Sequence, residues 1–265
     1  MSAPVGALPT VTATRYVAPL REGGSLPALM EADDLGLYVV KFRGAGQGAK
    51  ALVAELLAGG VGRRLGLAVP DLVLVEVDPA LGAAEPDAEI QDLLKASPGI
   101  NVGLDFLPGA LAFEPAAGFS VMPALAAEIV WFDALMTNVD RTPRNPNLLV
   151  WHDRLWLIDH GAAIYVHHET WHVAPRALGR FPAVREHVLL PYAGSVLEAD
   201  ARLAPRLDPA AIGEITAAVP DVLLGGDREP GGPAERRAAY ADYLARRLRA
   251  PRGFAEEAED ARAAA

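Results

Sequence analysis

The segment NVDRTPRNPNLLVWHDRLWLIDHG, residues 138–161, decides the fold and the chemistry expected of this chain. It contains Asp140, then Asn145 five residues later, and Asp159 near its far end. Between them, NLLVW and RLWLID are rich in aliphatic and aromatic residues, which predicts a β-hairpin. The pattern therefore predicts a polar loop carrying Asp140 and Asn145, followed by a hairpin that ends at Asp159.

This order of residues is typical of a kinase-type catalytic loop. Phosphoryl transfer needs a carboxylate that orients the acceptor hydroxyl, and separate oxygen ligands that hold Mg²⁺ against the phosphates. Asp140, at the start of the loop, is the candidate catalytic base. Asn145 and Asp159 are the candidate metal ligands, and an amide ligand adds no further negative charge beside a triphosphate.

A second informative stretch, VVKFRGAGQGAKALVAE, occupies residues 39–55 and predicts a strand, a glycine-rich turn and a helix. Its alternating glycines match both the Rossmann fingerprint and the phosphate-binding P-loop only in part, since Lys50 is followed by alanine. The third interpretation makes Lys41, at the end of the strand, the functional residue. Only 3 of the 24 basic residues are lysine, which favours a need for a compact charge at Lys41.

The pattern of elements changes along the chain from strands to helices, which predicts an α+β class with two lobes. We expect an N-lobe in residues 1–107, with a β-sheet and one helix, and a helical C-lobe in residues 108–250. Residues 234–248 are interpreted as a solvated surface helix. The low-complexity residues 251–265 are expected to form a disordered tail.

Composition narrows the classes of function. The chain of 265 residues has no cysteine and a formal charge of −10. Thiolate catalysis is therefore excluded, and the negative charge argues against direct binding of nucleic acid. No stretch approaches the roughly 20 apolar residues that span a bilayer, and no secretion signal is recognised, so we expect a cytoplasmic protein with no membrane contact.

The pieces VVKF, TNVDRTPRNPNLL and LIDHG, together with a glutamate at position 55, resemble the HipA-like branch of the protein-kinase-like fold over most of residues 12–170. The resemblance implies that Lys41 contacts the ATP phosphates and that Glu55 pairs with it. It also implies the roles of base and metal ligands already assigned to the loop, with ATP and Mg²⁺ as cofactors. A protein Ser/Thr hydroxyl is the implied acceptor, while the similarity of the DR pair to lipid-kinase loops keeps a small-molecule hydroxyl open.

Two further regions are expected to contact ATP. The turn REGGSLP contains Gly23, Gly24 and Ser25, whose backbone amides are candidates to cover the triphosphate. The Pro-Gly break that ends the predicted strand NVGLDFLPG is the candidate hinge between the lobes, with Asp105 and Leu107 as the residues beside the nucleotide.

Departures from the eukaryotic protein-kinase pattern keep alternatives open. The chain has no G-x-G-x-x-G loop, no His-Arg before Asp140 and no A-P-E, and His160 replaces the Phe of D-F-G. A pseudokinase that binds nucleotide or a partner without transferring phosphate is one alternative. A zinc hydrolase is another, because residues 168–172 spell H-E-x-x-H, although the β-branched residues before them and Pro175 after them leave little room for the helix that such a site uses.

Overall fold

A computed structural model describes residues 8–20, 26–46, 48–83, 85–169, 176–225 and 231–265. The strands are β1 (Thr10–Pro19), β2 (Ala28–Ala32), β3 (Leu37–Lys41), β4 (Leu72–Val77), β5 (Gly99–Asp105), β6 (Leu111–Ala112), β7 (Leu148–Trp151) and β8 (Arg154–Leu157). The helices are α1 (Ala49–Leu65), α2 (Ala88–Lys95), α3 (Pro123–Met136), α4 (Val166–Glu169), α5 (Val196–Leu203), α6 (Pro209–Ala217), α7 (Asp221–Leu224), α8 (Pro233–Arg247) and α9 (Gly253–Ala263).

The first five strands close into a barrel in the order β1-β2-β3-β5-β4. Strand β2 pairs antiparallel with both β1 and β3. The barrel closes where β1 runs parallel to β4, with Thr10 opposite Leu74. No local sequence pattern predicts this pairing. Alternate residues of β2 are buried, as expected for a strand with one face toward a core.

Helix α1 lies very close to the chain that leads into β4, and its glycines make this approach possible. A Cβ added at Gly59 would lie 2.6 Å from a methyl carbon of Leu72, and one at Gly62 would lie 2.9 Å from Val69. Such distances are too short for carbon atoms, so larger side chains would push the helix outward. Glu55 lies in the middle of this buried helix and is itself fully buried.

Buried apolar residues form two clusters, a smaller one inside the barrel and a larger one that joins α1 and α3 to the later helices. Helix α3 is buried along its last two turns and ends at Thr137, whose φ of 50° lies in the left-handed region. The α+β class is thus confirmed. The division into two lobes at residue 107 stays a proposal, since α1 packs mainly into the larger cluster.

The expected disordered tail is wrong for residues 253–263, which form α9. The alanine-rich sequence looked like low complexity, but Phe254, Ala258 and Ala261 fall on one buried face. The Phe254 ring contacts Trp131 edge-on, with centroids 5.6 Å apart. Small side chains allow this helix to pack closely against α3 and α5, so the low-complexity pattern here marks close packing.

The interpretation of residues 234–248 as a solvated surface helix is also wrong. Tyr240, Tyr243 and Arg247 of α8 are buried. Arg247 donates hydrogen bonds to the carbonyls of Ala134 and Leu135 at the C-terminal end of α3, which satisfies groups that a helix cannot pair internally. The positive charge that suggested a surface helix instead stabilises the end of α3, from which the chain enters the predicted catalytic loop. Among the described residues, no helix has the length and apolar character to cross a membrane.

Candidate active site

The end of β3 and the middle of α1 bring Lys41 and Glu55 together. Lys41 Nζ lies 2.6 Å from Glu55 Oε2, and both side chains are buried. The register of the barrel fixes the position of Lys41, which pairs with Val102 of β5. A lysine on a strand thus meets a glutamate on the following helix, as the family resemblance implies.

The hairpin β7–β8 carries a second carboxylate to the same lysine. Asp159 Oδ1 lies 2.5 Å from Lys41 Nζ, although the two residues are 118 positions apart. The next residue, His160, donates its backbone N–H to Glu55 Oε2 over 2.8 Å, and its Nδ1 lies 3.1 Å from Glu55 Oε1. We call Lys41, Glu55, Asp159 and His160 the lysine cluster.

Charge compensation in the lysine cluster keeps its groups ionised. Burial on its own would lower the pKa of Lys41, but the Glu55 and Asp159 carboxylates outweigh burial and raise that pKa. Burial on its own would raise the pKa of Glu55, but Lys41 and the hydrogen bond from His160 lower it well below its usual range. Lys41 is therefore a cation and Glu55 an anion at neutral pH.

The predicted catalytic loop is a compact turn with Asp140 at its start. Thr142 and Asn145 exchange backbone hydrogen bonds of 3.1 Å in both directions. This turn places Asn145 Nδ2 2.8 Å from Asp140 Oδ2. Asn147 Nδ2 donates to the carbonyl of Asp140 over 3.3 Å, so Asn147 braces the loop. The structure thus brings Asp140 and Asn145 into contact.

A second buried set of charges, the arginine cluster of Asp133, Asn138, Arg141 and His187, lies behind this loop. Asp133 of α3 accepts hydrogen bonds from Arg141 Nε at 2.6 Å and from Asn138 Nδ2 at 2.8 Å. His187 Nδ1 accepts the N–H of Leu189, so the proton lies on Nε2 and is donated to Asp133 over 2.9 Å. Asp133 therefore braces the loop.

Arg141 also ties the loop to the hairpin. Its guanidinium donates to the carbonyl of Asn147 and to that of Ile158, the residue before Asp159. Asp140 and Asp159 are thus connected through one buried side chain. The sequence did not predict this role of Arg141 or the contribution of His187, whose contact with Asp133 spans 54 positions and leaves no local pattern.

Unusual backbone conformations mark both ends of this region. Thr137, Asn147 and Asp159 have φ values of 50°, 48° and 54°. These left-handed conformations are uncommon for residues other than glycine, most of all for a β-branched threonine. Such conformations cluster at functional sites, where the surrounding contacts hold them.

The glycine-rich turn between β3 and α1 faces a neighbouring element of the protein. The N–H of Gly44 donates to Ser97 Oγ over 3.1 Å, and the N–H of Arg43 donates to Asn101 Oδ1 over 2.8 Å. These amides are already satisfied within the chain, so they are not the open phosphate cradle of a P-loop. The turn connects the lysine strand to its helix.

The residues predicted to contact the nucleotide are only partly described. Gly23, Gly24 and Ser25 lie outside the described residues. Asp105 ends β5, and its N–H donates to the carbonyl of Asp71 over 2.8 Å. Leu107 is buried just after the strand. Because the N–H of Asp105 has a partner inside the protein, a nucleotide contact through that group is not expected.

For the zinc alternative, His168 is described but His172 lies outside the described residues. His168 Nε2 lies 3.0 Å from Nε2 of its neighbour His167, whose Nδ1 contacts the hydroxyl of Tyr240. Within the described residues, no group of three or more His, Asp or Glu side chains is arranged to hold a metal ion.

Three features together define a kinase-like protein. They are a strand lysine paired with a helix glutamate, a loop with Asp and Asn five residues apart, and a hairpin that ends in a third carboxylate. A sequence model of the HipA-like kinase family matches residues 14–174. The chain belongs to this family.

The fold is also similar to that of a solved kinase. The crystal structure of the Helicobacter pylori proinflammatory kinase CtkA matches with a TM-score of 0.56 and 14% sequence identity, covering 97% of this chain and 98% of that one. At this identity the likeness concerns the fold alone. No curated protein sequence matches the chain.

Proposed function

We propose that this protein is an ATP- and Mg²⁺-dependent phosphotransferase that moves the γ-phosphate of ATP to a hydroxyl group, with protein serine or threonine as the acceptor. The observation that carries the proposal is the position of Lys41 Nζ between Glu55 and Asp159, 2.6 and 2.5 Å away. Lys41 and Glu55, on a strand and the helix that follows it, meet Asp159, which lies 118 positions beyond Lys41 in the chain, an arrangement that suits phosphoryl transfer.

Lys41 is proposed to contact the α- and β-phosphates. The two carboxylates take two of the three N–H donors of its ammonium group, which leaves one for a phosphate oxygen. Glu55 holds the ammonium in place from the middle of a buried helix. A compact ammonium suits this confined position better than a planar guanidinium.

Asp140 is proposed as the base, and Asn145 and Asp159 as the residues that hold Mg²⁺. Asn145 uses Nδ2 to bind Asp140, so its Oδ1 is the atom suited to a cation. The side chain of Asp159 is 37% exposed and can reach a ligand. Amide and carboxylate oxygens are the hard ligands that Mg²⁺ prefers, so these residues fit the metal, which when bound neutralises charge on the phosphates.

The same proposal includes two sets of nucleotide contacts. Gly23, Gly24 and Ser25 cover the triphosphate, and Asp105 and Leu107 lie beside the nucleotide. The acceptor rests on the family, and a small-molecule hydroxyl remains the alternative to protein Ser/Thr. A pseudokinase is disfavoured because all five polar residues that phosphoryl transfer uses are present. Lys41 contacts both Glu55 and Asp159, and Asp140 contacts Asn145.

A thermal melting scan tests the nucleotide part of the proposal. ATP is expected to stabilise the fold only with Mg²⁺ present, by about 2.7 kcal/mol at a hundredfold excess over Kd. NAD serves as the control ligand for the Rossmann alternative. A shift with zinc or with a chelator, and none with Mg-ATP, would contradict the proposal and favour the H-E-x-x-H site.

A further inference from the structure

His160 differs from its neighbours in the lysine cluster because it contacts both oxygens of one carboxylate. Its backbone N–H donates to Glu55 Oε2 over 2.8 Å, and its Nδ1 lies 3.1 Å from Glu55 Oε1. Both side chains are fully buried. The backbone contact is open to any residue at this position except proline, whereas the second contact depends on the imidazole.

The direction of the second hydrogen bond follows from the chemistry of the partners. An ionised carboxylate only accepts hydrogen bonds, and its lysine partner keeps Glu55 ionised. Nδ1 of His160 must therefore carry a proton and donate it to Oε1. Within the described part of the chain, no second donor to Oε1 is found, so the imidazole satisfies a buried oxygen that would otherwise lack a partner.

The other side of the ring is apolar. His160 meets Phe132 of α3 edge-on, with ring centroids 5.7 Å apart. Its Nε2 is buried and has no hydrogen-bond partner among the described residues. The packing holds the ring in one orientation, and in that orientation its polar contact is the one with Glu55.

We propose that His160 is a positioning residue for phosphoryl transfer: through Nδ1 it fixes Glu55, which in turn fixes Lys41 against the nucleotide. The proposal rests on the proposed function. It explains why a histidine follows Asp159. A phenylalanine could fill the space beside Phe132 but could not donate to Oε1, and an unpaired oxygen on a buried carboxylate is costly.

Two substitutions separate the donor from the ring. His160→Phe keeps an aromatic ring against Phe132 and removes the donor, whereas His160→Asn removes the ring and places an amide N–H near the position of Nδ1. We expect His160→Phe to lower kcat/KM for ATP by about tenfold or more. His160→Asn should stay within about threefold of wild type.

The same variants in a Glu55→Gln background show whether His160 acts through Glu55. If it does, His160→Phe should change kcat/KM by less than about twofold in that background, because the contact is already altered. An equal loss in both backgrounds, or an equal loss for His160→Asn and His160→Phe, would overturn the proposal. If His160→Phe does not fold, His160→Asn still tests the proposal, since a large loss in a variant that keeps the donor contradicts it.

The wild-type protein separates this proposal from the one on which it rests. A wild type with no Mg-ATP melting shift and no transfer of labelled phosphate removes the proposed function itself. An active wild type with an equally active His160→Phe removes the role of His160 alone.

Discussion

The lysine cluster and the arginine cluster contain the same kinds of charged groups, yet they differ in access to solvent. In the arginine cluster, Asp133 and Arg141 are fully buried and compensate each other. In the lysine cluster, Lys41 is nearly buried, but the side chain of its partner Asp159 is 37% exposed. A closed ion pair can only stabilise the structure around it. An ion pair with one accessible carboxylate can also exchange its partner for a ligand.

This difference assigns separate tasks to neighbouring residues of one loop. Arg141 points inward and holds the loop against Asp133 and the hairpin. Asp140, the preceding residue, contacts Asn145 on the outer side. Substitutions in the arginine cluster should therefore change stability, and substitutions in the lysine cluster should change catalysis.

The largest effect is expected from Asp133→Ala. It leaves the buried guanidinium of Arg141 without its carboxylate, which typically lowers the free energy of unfolding by about 3–5 kcal/mol. Urea denaturation followed by circular dichroism measures the change. The matched control is Glu128→Gln on the same helix, which breaks a solvent-exposed pair with Arg202 and should cost less than about 1 kcal/mol. Equal costs for the two variants would contradict the comparison.

A smaller effect, confined to catalysis, is expected from Lys41→Arg. The guanidinium keeps the charge but does not fit between Glu55 and Asp159, so we expect transfer to fall roughly a hundredfold, about 2.7 kcal/mol in activation free energy. Unfolding by urea should change much less than for Asp133→Ala. Lys95→Arg is the control, since Lys95 forms an exposed pair with Asp92. A fully active Lys41→Arg protein would show that Lys41 does not contact the phosphates.

Three of the four members of the lysine cluster were predicted, Lys41 and Asp159 from local signals in the sequence and Glu55 from the family resemblance. Lys41 ends an apolar strand, Glu55 lies in the next helix, and Asp159 ends a hairpin, and the structure brings all three together. What the sequence could not predict are contacts that depend on packing alone. His187 reaches Asp133 from 54 positions away, and Arg247 reaches the end of α3 from 112 positions away.

Two elements were misjudged for a related reason. Burial of α8 depends on surfaces of α6 and α7, and burial of α9 on surfaces of α3 and α5, and these surfaces exist only after folding. From composition alone, an arginine is expected to be solvated and an alanine-rich segment to be disordered. In the structure, Arg247 pairs with buried carbonyls, and the small side chains of α9 fit a close contact. Composition describes single residues, whereas burial depends on what they meet.

The most direct test of the central claim, a phosphotransfer site with separate base and metal-binding residues, compares Asp140→Asn with Asp159→Asn. The measurement is transfer of labelled phosphate from γ-labelled ATP, in the purified protein and in a cell lysate, beside the melting shift that Mg-ATP produces. Asp140→Asn should keep the shift and lose transfer by about 10²–10⁴-fold, because only the base is removed. Asp159→Asn should lose both, because a carboxylate that holds the metal has gone. Undiminished labelling by Asp140→Asn would contradict the assignment of the catalytic site.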